Sequence, residues 1–148
     1  MRDKIALILL LSMCMVSCGG QSGPPSTSQT SVALPQIRDR IEFIEEYVTF
    51  RRSYSQLEYD IVYHNNSGGM VPGPSEWDIK IRAIVPTEQI TDWIPTDVPS
   101  SDEQSPQWLR QIPGTIPVDG VTEWYREGRI EVGVDRTKSI VAYRNLAY

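Results

Sequence analysis

The apolar positions of this chain follow two rhythms. Ile37, Ile41, Ile44 and Val48 recur at steps of four, three and four, which puts them on one stripe of a helix. Arg38 and Glu42 stand four apart on the polar side, and Pro35 suits a first helical turn. The spacing predicts a helix over 35–49 whose apolar stripe packs on a sheet. The second rhythm has period two. Leu57, Tyr59, Ile61 and Tyr63 alternate with Glu58, Asp60 and Val62. Ile79, Ile81, Ala83 and Val85 alternate with Asp78, Lys80, Arg82 and Ile84, and Ile130, Val132 and Val134 with Arg129, Glu131, Gly133 and Asp135. Such alternation predicts strands with one wet face. Residues 139–146 read as a further strand, joined to the one before by a turn at 135–138. Residues 121–127, ahead of Gly128, read as another, so the last three form an antiparallel meander.

Weaker helical signals lie between the halves. Thr87 is a candidate N-cap, with Glu88 in the first turn where a carboxylate suits the helix dipole. Ser105 is a second candidate cap, followed by Pro106 at the first helical position and Pro113 as a stop. A proline-rich loop separates these two segments. Together the elements predict an α+β domain: an antiparallel sheet of four to five strands, with an N-terminal helix and one or two short helices packed on one face. Alternation this regular argues against a parallel sheet buried on both sides.

The N-terminus follows neither rhythm. Arg2 and Lys4 precede a run from Ile5 to Val16 that is apolar except at Ser12. This run falls short of the roughly 20 residues needed to cross a bilayer. It matches the basic and apolar regions of a secretory signal peptide, whereas a buried helix there would be cut off from the domain by the polar stretch after Cys18. Val16, Ser17 and Cys18 come next. This stretch resembles the lipobox of bacterial lipoproteins, in which a small residue precedes a cysteine that is acylated. Met15 stands where that pattern usually has leucine, and Cys14, behind bulky Met13, is the poorer acceptor. The resemblance is confined to the first twenty residues. It implies cleavage between Ser17 and Cys18, removal of 1–17, two or three acyl chains on Cys18, and a membrane anchor that does not span the bilayer. One chain holds a protein only marginally, and two or more hold it stably. In a Gram-negative source, the resemblance further implies that Gly19, in place of an aspartate that would favour inner-membrane retention, favours the periplasmic face of the outer membrane. Both cysteines of the chain lie in this leader region, so the mature protein would carry neither a disulfide nor a free thiol.

Residues 19–31 contain only Gly, Gln, Ser, Pro and Thr, too little apolar surface to offset the entropy of ordering them. Residues 18–31 are therefore expected to be a lipidated cysteine and disordered tether, and 32–148 a single globular domain. Cleavage removes two of the fourteen basic and one of the nineteen acidic residues, so the net charge passes from −5 to −6. This acidity disfavours nucleic acid as a partner.

The least regular stretch, 63–78, holds His64, the chain's one histidine, with Asn65, Asn66 and Trp77 among glycines and prolines. It reads either as a binding loop, with donors, acceptors and a stacking face, or as an ordinary irregular connection. The run from Ser67 to Gly73 lacks the Lys-Ser/Thr pair of a phosphate loop. In a strand His64 and Asp60 share a face but stand about 13 Å apart, so no catalytic pair is evident there. No set of histidines and thiols fits zinc, and no loop has the calcium-binding spacing; no cofactor is expected. The four tryptophans and seven tyrosines supply either core bulk or faces for stacking on envelope glycans. The sequence thus favours a non-catalytic binding or interaction module, anchored to the envelope through lipid, with an envelope protein or glycan as partner. A small hydrolase using His64, and an inhibitor or immunity-type lipoprotein against a lytic enzyme or toxin, remain as alternatives.

Overall fold

A computed structural model describes residues 23–48, 50–68, 73–102 and 106–148. They form one seven-stranded antiparallel sheet built from β1 (Thr27–Thr30), β2 (Gln56–His64), β3 (Glu76–Ile84), β4 (Ser101–Asp102), β5 (Glu123–Glu127), β6 (Ile130–Asp135) and β7 (Ile140–Ala147), in the spatial order β1-β2-β3-β7-β6-β5-β4. The fold is α+β with an antiparallel sheet, as the period-two rhythm implies, and β5, β6 and β7 form the expected meander.

The sheet is larger than four to five strands because two strands carry no apolar pattern. β1, of sequence TSQT, lies inside the segment expected to be a disordered tether, and pairs from Thr27 with Tyr63 to Thr30 with Asp60. Its partner is a sheet edge that offers backbone hydrogen bonds whatever the side chains are, and threonine tolerates the pleat well. The ordered domain therefore begins before Val32. Beyond the reach of β1, the Leu57 carbonyl accepts from Arg40 Nη1 at 2.9 Å, which ties the helix to the same edge. β4 is a two-residue strand within the proline-rich loop, paired to β5.

The helices lie on both faces of the sheet, not one. α1 (Ile37–Ile44) is shorter than the spacing predicted, and its end tightens through i→i+3 bonds from Glu46 and Tyr47. Ile44 and Val48 pack with Leu57, Tyr59, Ile61, Ile81, Val141 and Tyr143, joined by Ile90 and Trp93 of a 3₁₀ helix, Thr87–Trp93. Thr87 does not cap that helix; its hydroxyl shares a 2.6 Å hydrogen bond with that of Ser139. The opposite face receives α2 (Gln107–Gln111), with Pro106 at its N-cap. Trp108, Leu109, Ile112, Ile116 and Val121 there cover Trp124, Ile140 and Ala142. Alternation along β7 separates the two cores, since Val141 and Tyr143 point one way and Ile140 and Ala142 the other.

Covering the second face buries charges expected to be wet. Glu58 and Arg82 are both buried. Arg82 Nε donates to Glu58 Oε2 at 2.7 Å, while Glu58 also accepts from the amide of Ile116 at 3.2 Å. Arg82 Nη2 reaches the Ile112 carbonyl at 3.2 Å. This pair pins the 112–116 segment to the sheet. Gly114, at φ +151°, passes so close that a Cβ there would lie 2.1 Å from the Glu58 carboxylate.

Candidate functional site

Strand register gathers one end of the sheet from distant parts of the chain. His64 pairs with Glu76, Trp77 with Ala147, and Ile130 with Asn145. The start of β3, the β5–β6 turn and the last residue of the chain therefore lie together. Gly128, at φ +58°, takes a left-handed conformation that glycine adopts without strain, and with Arg129 it closes the tight turn between β5 and β6.

Three adjoining concavities of about 220, 500 and 290 Å³ share Arg129 as a lining residue. The first also takes Arg126, Arg144 and Glu131; the second, Ser75 and Tyr148; and Trp77 lines the second and third. The arginines are not equivalent. Arg144 grips Asp78 with two bonds of 2.9 and 3.0 Å, and its guanidinium lies 5.8 Å from the centre of the Trp108 ring. Arg126 Nε lies 3.3 Å from Glu131 Oε1, whose other oxygen accepts from Trp108 Nε1 at 2.8 Å. Arg129 is exposed, and among the described residues no carboxylate pairs with it. Its guanidinium lies 5.7 Å from the centre of the Trp77 ring, an attraction that holds the charge in place without neutralising it.

Of the neighbouring carboxylates, Asp60 and Asp78 are occupied, while Glu127 is exposed and lines the third concavity beside Arg129. Lys80 Nζ lies 2.9 Å from Asp60 and 3.3 Å from Asp78. Burial pulls the Lys80 ammonium down, but its bonds and charge attraction to Asp60 and Asp78 outweigh that and hold it above its ordinary value.

The residues singled out from the sequence separate in space. Trp77 lines the concavities but is no open stacking platform. Its indole N–H donates to Asn145 Oδ1 at 2.9 Å, Tyr63 stacks beside it at 6.4 Å, and Arg129 lies over it. Trp93, Trp108 and Trp124 are buried in the two cores, so they present no face to a glycan. Asn65 and Asn66 are structural. Asn65 Nδ2 donates to the carbonyls of Gly23 and Pro24, and its own amide donates to Ser26 Oγ. Asn66 Nδ2 donates to the Pro74 carbonyl at 2.9 Å. His64 is exposed, on the strand face opposite Trp77. Among the described residues nothing hydrogen-bonds to its ring; Asp60 is committed to Lys80, and Ser67 donates to Asn65 Oδ1. Ser17 and Cys18 lie outside the described residues.

Sequence reasoning overlooked Arg126, Arg129 and Arg144. The available signal was an arginine beside a turn glycine, with another arginine in β5 and one in β7, the two strands that flank β6; only the register makes it a cluster. Among the described residues no histidine, cysteine and carboxylate group is placed to hold a metal, and no helix is long and apolar enough to cross a membrane. Comparison with protein-family models, curated proteins and solved structures returns no match.

Proposed function

We propose that this chain is a bacterial envelope lipoprotein, acylated on Cys18, whose domain is a non-catalytic binding module for a negatively charged group. The observation that carries the binding reading is Arg129: an exposed guanidinium at the junction of three clefts, steadied by Trp77 and left without a carboxylate partner among the described residues. A carboxylate or phosphate entering there gains a charge-assisted hydrogen bond from a group already held in place. Support for the anchor is the lipobox resemblance at Val16, Ser17 and Cys18. A binding role is favoured over hydrolysis through His64 because that ring has no acid to orient it among the described residues, while the concave end of the sheet is lined with arginines.

Two experiments test this. Titration of the Cys18→Ala chain with inorganic phosphate or acetate, followed by NMR, is expected to shift the amides of 128–131 and the Arg129 side chain. Arg129→Ala is expected to weaken that binding about tenfold or more, since a hydrogen bond to a charged group contributes roughly 1.5–3 kcal/mol. It should leave the urea midpoint unchanged. Shifts confined to the opposite end of the sheet, or binding that survives Arg129→Ala, would contradict the site. Cell fractionation tests the anchor: the native protein belongs in the membrane pellet and Cys18→Ala in the soluble fraction.

A further inference from the structure

The chain enters the domain at the same end of the sheet as Arg129. Thr27 pairs with Tyr63, next to the strand end at His64. Before it, the Gly23 and Pro24 carbonyls accept from Asn65 Nδ2 at 3.2 and 2.8 Å, and the Pro25 carbonyl accepts from the Tyr47 hydroxyl at 3.2 Å. Residues expected to be loose tether are thus docked on the domain, and only 19–22 separate Gly23 from Cys18.

We infer that this end of the sheet, bearing Arg129, Trp77 and Tyr148, is the surface that meets the bilayer, with headgroup phosphate as the anion that Arg129 contacts. The inference rests on acylation of Cys18 and deepens the binding reading by naming its ligand. Its first ground is length. Five residue steps span at most about 18 Å even fully extended. The nine residues of β2 rise about 30 Å, so the sheet cannot stand inverted on so short a leash. With the sheet upright, the Arg129 end lies at the headgroups. The second ground is composition. Tyr148 is 89% exposed, Trp77 lies beside it in the larger cleft, and Arg129 projects next to both. Tyrosine suits the membrane–water boundary, where one end of the ring is apolar and the other wet, and Tyr148 is the open ring here, with Trp77 holding Arg129 beside it. A guanidinium matches phosphate oxygens. The contact needs no excess of anionic lipid, because a zwitterionic phospholipid also carries a phosphate; the acidic domain would be repelled by a strongly anionic surface.

The test uses full-length protein, processed and purified from membranes, in phosphatidylcholine vesicles containing a lipid with headgroup-chelated gadolinium. A single nitroxide is placed at Glu76→Cys, at the Arg129 end, or at Lys138→Cys, at the far end; both positions are exposed. Mass spectrometry of the same samples reports acylation. The expected result is a relaxation enhancement several-fold larger at 76 than at 138, reduced when Arg129→Glu is added. Equal enhancement, or the reverse order, in protein shown to be acylated overturns the orientation and leaves the anchor standing. Absence of acyl mass overturns the anchor and the orientation with it.

Discussion

Glu58 and Gly114 show how much one position carries in this domain. The Glu58 carboxylate satisfies Arg82 and the backbone of the 112–116 segment at once, and Gly114 leaves no room for a side chain against it. Removing one partner of a buried pair strands the other charge, at a cost of about 3–5 kcal/mol. Glu58→Ala is therefore expected to lower unfolding free energy by about that amount in urea titration, and Gly114→Ala to lower it as well, through both the clash and the φ +151° backbone. A Gly114→Ala protein as stable as the parent would refute this account of the segment. On the alkaline side, burial pushes the Tyr54 hydroxyl up to about 12, with nearby Glu45 adding to the rise. Lys80 is likewise held above its ordinary value. Both groups are raised in the folded state, so the stability linked to them is intact below pH about 10 and is lost as pH rises through the folded-state values. The urea midpoint should fall from pH 10 to 12. Ultraviolet titration should show at least one tyrosine ionising near 12.

At the scale of elements, the strands separate by what holds them. β3 and β7 sit at the centre, paired on both sides along most of their length, whereas β1 and β4 are short edges. Amide exchange should be slowest in β3 and β7 and fastest in β1 and β4; equal protection in β1 and β3 would contradict the pairing described. The same contrast explains what could be read from the sequence. Leu57 to Tyr63, Ile79 to Val85 and Ile130 to Val134 announce their strands because burying one face demands alternation. β1 demands nothing of its side chains, so Thr27 to Thr30 looks like linker. Glu58 and Arg82 read as solvent-facing because nothing local says that residues 112–116 fold over them. Trp77 was legible as a functional candidate, but its partner Arg129 was not. A turn arginine looks like any solvated charge until register brings it to a ring fifty-two positions away.

The whole molecule is an acidic domain with both sheet faces covered, one concave arginine-bearing end, and a chain that leaves that end close to a candidate lipid site. If Cys18 is acylated as proposed, the lipid and not charge attraction brings that end to the membrane, since the chain is acidic. The anchor is thus the claim on which location and orientation both rest. Intact mass of the native protein extracted from membranes tests it most directly. The expected species begins at Cys18, lacks residues 1–17 and carries the added mass of two or three acyl chains. A chain that keeps its first seventeen residues, or begins with an unmodified N-terminus and no acyl mass, would contradict it.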